Sequence, residues 1–141
     1  MSGHSNQVTK TFGALTVGGN TIKGGNTTSV AVTPSPAPVA YNSTASIAAA
    51  DALAGLITST SSAVTLTMPT GAALIAAMTK PAIGDTFNLT FVKTGANDIT
   101  VAAGASGSTL VGSATVATAT SGTYKIRVTG ITTPAYSMYR I

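Results

Sequence analysis

Thr86-Phe87-Asn88-Leu89-Thr90-Phe91-Val92-Lys93 runs through Thr94-Gly95-Ala96-Asn97-Asp98 into Ile99-Thr100-Val101. Phe87, Leu89 and Phe91 alternate with Asn88 and Thr90, so one face is apolar and the other polar, the period of a half-buried strand. The Gly/Asn/Asp-rich segment 93–98 has the residues of a tight turn, and Ile99-Thr100-Val101 resumes the alternation. The stretch therefore predicts a β-hairpin, the run 87–91 paired with 99–101 through a loop at 93–98. Outward from it the same pattern recurs at Leu56 to Thr60, at Ala63 to Met68, and at Thr109 to Val111, Ala114 to Ala119, Thr123 to Thr129 and Ala135 to Ile141. Gly, Ser or Pro separates these runs.

Composition points the same way. The chain of 141 residues carries 26 Thr and 14 Ser, and its only acidic residues are Asp51, Asp85 and Asp98. Thr and Val branch at Cβ and suit a pleated surface, while the usual helix builders are scarce. Two short helices interrupt the strands. Ile47, Ala50, Leu53 and Ala54 have helical spacing, with Ser46 as the expected cap and Gly55 as the stop. Ala72 to Met78 follows Pro69-Thr70-Gly71 and ends before Lys80-Pro81. Seven or more short strands with frequent turns predict an all-β (mainly β) body, a jelly-roll-like β-sandwich or a barrel, with one or two short helices.

Residues 1–40 read as an extended N-terminal arm and 41–141 as the body. Proline at 34, 36 and 38 fixes φ and removes donors, so that segment is extended and unfit for a sheet interior. Before it, 8–17 and 28–33 have short β-like patterns around Gly18-Gly19-Asn20 and Gly24-Gly25-Asn26, too slight to bury much alone. A loose echo of 15–20 in 22–26 is too short for a repeat, and no period of 20–50 residues stands out.

Chemistry has little to work with here. His4 is the sole histidine and lies in the tail, no Gly-x-Ser-x-Gly elbow is present, and the three Asp residues stand in separate segments. With no Cys and no Asp-x-Asp spacing, neither a thiolate metal site nor a calcium loop is expected; the predicted metal, cofactor and catalytic sets are empty. Asp85 and Asp98 read as turn formers. Gly19 to Gly24 has the span of a phosphate loop, but Gly25-Asn26 stands where Lys-Ser/Thr is required. Asn26-Thr27-Thr28, Asn42-Ser43-Thr44 and Asn88-Leu89-Thr90 match the glycosylation pattern, which without a secretory signal reads as chance. The longest apolar runs fall short of a membrane span. A net charge of +4 without a basic cluster predicts no direct nucleic-acid binding.

Charged side chains make up 7% of the chain, against about a quarter in ordinary domains. So sparse a charge predicts a surface covered by other subunits rather than by water. Lys125 and Arg127 share one strand face, and Arg140 is expected to join them if the last two strands pair. Phe87 and Phe91 read as core. Phe12, Leu15, Val30, Val32 and Tyr41 are the interface candidates, with Phe12 the isolated anchor of the arm.

The runs Ala63-Val64-Thr65-Leu66-Thr67-Met68-Pro69-Thr70-Gly71-Ala72-Ala73-Leu74, Gly84-Asp85-Thr86-Phe87-Asn88-Leu89-Thr90-Phe91 and Asp98-Ile99-Thr100-Val101-Ala102-Ala103-Gly104 resemble β-domains of tailed-bacteriophage virion proteins. Among these are capsid decoration (cement) proteins and some head or tail fibre proteins. The likeness covers about 44–141 and carries no catalytic residue with it. It implies a homotrimer on the capsid surface of the virion, made in the host cytoplasm, clamping neighbouring major capsid protein subunits with an arm reaching across the shell. Thr28 to Thr33 has the pattern of a strand that adds to a neighbour's sheet edge. The alternative is a fibre or spike module for host recognition, which needs exposed aromatics; Tyr41, Tyr136 and Tyr139 are the residues that could serve it.

Overall fold

The computed structural model describes residues 35–141 and the backbone of two strands before them. The chain divides into two units, Met1–Ser35 and Pro36–Ile141. In the first, β1 (Leu15–Val17) pairs antiparallel with β2 (Asn20–Ile22). In the second, the order is β3 (Val39–Ala40), β4 (Ala45–Ser46), α1 (Ala49–Ala54), β5 (Leu56–Ser59), β6 (Val64–Thr67), α2 (Gly71–Ala77), β7 (Thr86–Lys93) and β8 (Ile99–Ala102). It continues with β9 (Ser108–Val111), β10 (Thr115–Val116), β11 (Ser121–Gly130) and β12 (Ala135–Arg140). Of residues 35–141, strand takes 43% and helix 12%, so the fold there is mainly β with two short helices, as composition predicts. Val39 and Ala40, assigned to the arm by sequence, pair with β5 and belong with the second unit.

The strands form a six-stranded sheet, β3-β5-β7-β11-β12-β9, and a four-stranded sheet, β10-β8-β6-β4. The expected hairpin between 87–91 and 99–101 does not form: β7 lies in the larger sheet and β8 in the smaller. Both strands are real, but the loop between them crosses from one sheet to the other. The cause is visible at Gly95, where a Cβ would lie 1.9 Å from the Thr60 carbonyl oxygen. Segment 94–98 thus rests on the equivalent crossing after β5 rather than turning back on itself, with Asn97 at φ +62°. The true hairpin is β11–β12, paired antiparallel from Tyr124 opposite Arg140 to Gly130 opposite Ala135.

Three such crossings are stacked. β3, β5 and β7 are parallel neighbours, with Val39, Ile57 and Phe91 in line, and β4, β6 and β8 likewise align Ala45, Leu66 and Val101. Each rung is a strand in the large sheet, an arch, and a strand in the small sheet; α1 and α2 carry the chain back to start the next. The returns differ in length, so the repeat has no fixed sequence period. Side chains tie the first rung to the second: Asn42 Oδ1 accepts from the Thr60 N–H (2.8 Å) and hydroxyl (3.1 Å), and Thr44 Oγ1 accepts from the Thr65 N–H (3.0 Å).

Both sheets feed one core. Ile57, Leu89, Phe91, Tyr124 and Met138 from the larger sheet cluster with Leu66, Ile99, Val101 and Val116 from the smaller, and Ala52 and Leu74 add the helices. Phe91 meets Tyr124 edge to face at 5.6 Å, a favoured aromatic geometry. Phe91 is core, as read; Phe87 is half-buried at its margin. Thr70 caps α2 by accepting from the Ala73 N–H. Ser46 does not cap α1, because it is taken up in β4 beside Thr67. Instead the Tyr41 hydroxyl accepts from the Ala48 N–H at 3.0 Å and donates to Asp51 Oδ2 at 2.7 Å. Gly55 ends the helix at φ +85°, as expected.

Candidate functional site

Strand parity assigns the outer face of the six-stranded sheet. In β11, Gly122, Tyr124, Ile126 and Val128 are buried, which turns Lys125 and Arg127 outward, both exposed. Register gives them neighbours: Asn88, Lys125, Tyr139 and Val111 form one row across β7, β11, β12 and β9, and Thr86, Arg127, Ser137 and Thr109 the next. Tyr139 is 38% exposed, Val111 46% and Ile141 66%. Ile141 prolongs the pairing by donating its N–H to the Thr123 carbonyl. Cations and large apolar groups thus share one face of the sheet.

The carboxylates are occupied elsewhere. Asp51 receives the Tyr41 hydroxyl, Asp85 accepts from the Ala82 N–H at 2.8 Å, and Asp98 accepts from the Thr118 N–H (2.8 Å) and hydroxyl. Asp85 immediately precedes Thr86, the partner of Arg127, yet its carboxylate closes its own turn, as the sequence predicts for Asp85. Among the described residues, none of these carboxylate hydrogen bonds goes to Lys125 or Arg127.

Arg140 does not join the basic pair. It sits opposite Tyr124 in register, on the inward side of the hairpin, with its guanidinium carbon 5.1 Å from the Tyr124 ring centroid. Its Nη2 donates to the Ser121 carbonyl (3.4 Å), and Nη1 is buried with no acceptor among the described residues. Gly122 makes the space: a Cβ there would fall 1.7 Å from Nη1. Burial pushes the Tyr124 phenol above its usual range, against the opposing pull of the Arg140 charge.

Lys93 was not singled out by sequence, and it is 1% exposed. It follows Leu89 and Phe91 at inward parity, which is the signal that could have found it. Its ammonium donates to the Ser61 carbonyl, to the Ser62 carbonyl at 3.1 Å and to Ser59 Oγ at 3.5 Å. A buried cation is thereby held by the arch of the preceding rung.

Of the interface candidates, Phe12, Val30 and Val32 lie outside the described residues, as does His4. Leu15 pairs with Ile22 in the β1–β2 backbone register. Tyr41 packs against the core, its hydroxyl engaged at the start of α1. Tyr136 is 1% exposed and donates to the Pro69 carbonyl at 2.5 Å. The sequence missed Val111 and Ile141 and placed Tyr139 only as an aromatic for the alternative role. Among the described residues no three of His, Asp and Glu gather as a metal site, and no helix is long and apolar enough to cross a membrane. No family model, curated protein or solved structure matches the chain.

Proposed function

We propose that the chain is a structural virion protein, a decoration or cement protein that binds between major capsid protein subunits on a phage head as a homotrimer. The observation that carries this is the outer face of the six-stranded sheet. Lys125 and Arg127 lie beside exposed Tyr139 and Val111, and the chain's own carboxylates are turned to other partners. Aromatic and Arg side chains on a sparsely charged surface fit a protein interface. Two copies meeting through this face would set cation against cation, so the occupant it fits is an acidic, partly apolar surface of a different subunit. Two sheets sharing one core support reading the body as a β-sandwich rather than a barrel, and the parallel pairs within each sheet differ from the antiparallel order of a jelly roll.

The test is co-sedimentation with heads that lack this protein, comparing the native chain with Lys125→Glu/Arg127→Glu. Return of the native chain to the shell and loss of the variant, which alters only exposed side chains, is the expected result. Equal binding by both removes the face from the interface. A native chain that ignores heads and binds host cells replaces the cement reading with the host-recognition module.

A further inference from the structure

Among the described residues four large apolar side chains stand exposed, and three of them, Val111, Tyr139 and Ile141, belong to the outer face of the six-stranded sheet. The fourth, Ile83, is 65% exposed and lies in the return that carries α2 to β7. The turn that presents it is held from several sides. Lys80 sits at φ +49° and Gly84 at φ +99°, and Pro81 fixes its own φ. Asp85 Oδ2 accepts from the Ala82 N–H (2.8 Å), the Asp85 N–H donates to the Ala82 carbonyl (3.1 Å), and the Gly84 N–H donates to the Val128 carbonyl in β11 (2.9 Å). A side chain offered on so fixed a turn loses little freedom on docking. Lys80 is exposed, in a backbone region that glycine adopts more readily, so what a lysine adds there is its side chain.

Beside the turn lies a groove of about 410 Å³ between the two helices and the start of β7. Leu53, Ala77, Met78 and Phe87 give it an apolar lining, and Asp85 is the one charged residue that lines it; Ile83 does not reach into it. Among the described residues the Asp85 carboxylate takes one hydrogen bond, from Ala82, and no ion pair. Turn and groove are therefore complementary. The turn offers a branched apolar side chain with a cation three positions before it, and the groove offers an apolar lining with one carboxylate.

We propose that Ile83 of one copy seats in this groove of a second copy, with Lys80 beside the partner subunit's Asp85. A second copy is the occupant because the chain's own turn carries both groups that the groove's lining and charge call for. The outer face cannot serve the same end, since copies meeting there oppose Lys125 and Arg127. Turn and groove are different surfaces, so the contact runs head to tail, and repeated about an axis it closes a ring. The α2 return is also a connection whose length the stacked rungs do not fix, so a contact placed there leaves the rungs undisturbed. The inference rests on the reading of the chain as a homotrimer and supplies the self-contact that this reading needs.

Light scattering on the native chain and on Ile83→Asp, which alters only an exposed side chain, tests this. The expected result is a three-copy mass for the native chain and a single-copy mass for the variant at the same concentration, while Lys125→Glu/Arg127→Glu keeps the native mass. A native trimer that Ile83→Asp leaves intact overturns the docking, gives the groove to another partner and spares the homotrimer; a native monomer overturns both. The chain contains no Cys, so designed thiols give an unambiguous second readout. Ile83→Cys mixed with a differently tagged Ala77→Cys is expected to form a one-to-one disulfide on mild oxidation, which needs Cα atoms about 4.4–6.8 Å apart. Ile83→Cys that joins only to itself, or no cross-link at all, refutes the head-to-tail contact. Asp85→Asn keeps an oxygen for the Ala82 N–H and should weaken association roughly three-fold, the scale of an exposed ion pair. Adding Lys80→Met to it should weaken association no further, and additive losses would overturn the pairing of the two charges.

Discussion

Replacing Lys93 with Met tests how the rungs are held together. Lys93 is 1% exposed and its ammonium has three acceptors, the carbonyls of Ser61 and Ser62 and the hydroxyl of Ser59, the last at the limit of a hydrogen bond. Met keeps most of the apolar stem but donates nothing. The Ser61 and Ser62 carbonyls are part-buried, so losing the donor costs each about 1–2 kcal/mol, below the penalty for a fully buried group. The variant also relieves the desolvation of a buried charge, which opposes the loss. With two carbonyls stranded and that relief subtracted, the expected net destabilisation is about 2 kcal/mol, since removing a hydrogen-bonded buried group usually outweighs the relief. For a body of this size that is a fall in Tm of roughly 8 °C. Thermal unfolding followed by circular dichroism reads it, with exposed Lys125→Met as the control, expected within about 0.5 kcal/mol of the native chain. If Lys93→Met melts with the control, the ammonium does not hold the arch and the contact at Gly95 carries it alone.

Two further outcomes follow from the same region and the core beneath it. Gly95→Ala puts a methyl group 1.9 Å from the Thr60 carbonyl oxygen; with backbone on both sides the arches must part, at about 3 kcal/mol or more, read as a lower urea midpoint, and an unchanged midpoint would show that the arches are not in contact. Burial raises the Tyr136 phenol to about 12, against about 10 in an unfolded chain. Its neutral form is favoured in the fold, so this contribution is whole below pH 10 and is lost as pH rises through 12. Tyr136→Phe should unfold at lower denaturant at neutral pH, because the Pro69 carbonyl loses its donor, and should lose less further stability between pH 10 and 12. Parallel alkaline profiles for the two proteins would remove Tyr136 as the cause.

Strands and helices were legible because burial writes parity and spacing into the chain. Leu89 and Phe91, Val64 and Leu66, and Ala72 to Ala77 all lie in elements of the predicted type. Pairing was not legible. A Gly/Asn loop between two alternating runs looks the same whether the second run returns to the first strand's sheet or crosses to another, and only the approach of Gly95 to Thr60 decides between them. The stacked repeat was hidden for a related reason: its arches match in space, while the α1 and α2 returns differ in length. Lys125 and Arg127 were identified as sharing a face, but the apolar neighbours that make it a surface come from register with β12 and β9, which no local pattern encodes. Arg140 was misplaced because a one-residue difference in parity moves a side chain through the sheet.

The returns carrying α1 and α2 differ in length while the arches they join keep alignment, so the chain tolerates growth at one class of connection and not at the other. Over evolutionary time, insertions should accumulate in 47–55 and 68–85, and seldom in the crossings at 41–44, 60–63 and 94–98. Ancestral kinship would then survive as a succession of short strand, Gly/Ser/Asn crossing, short strand, at irregular intervals. Searches that reward a constant repeat length or contiguous identity would pass over such relatives; one that scores the crossings and lets the gaps between them vary would find them.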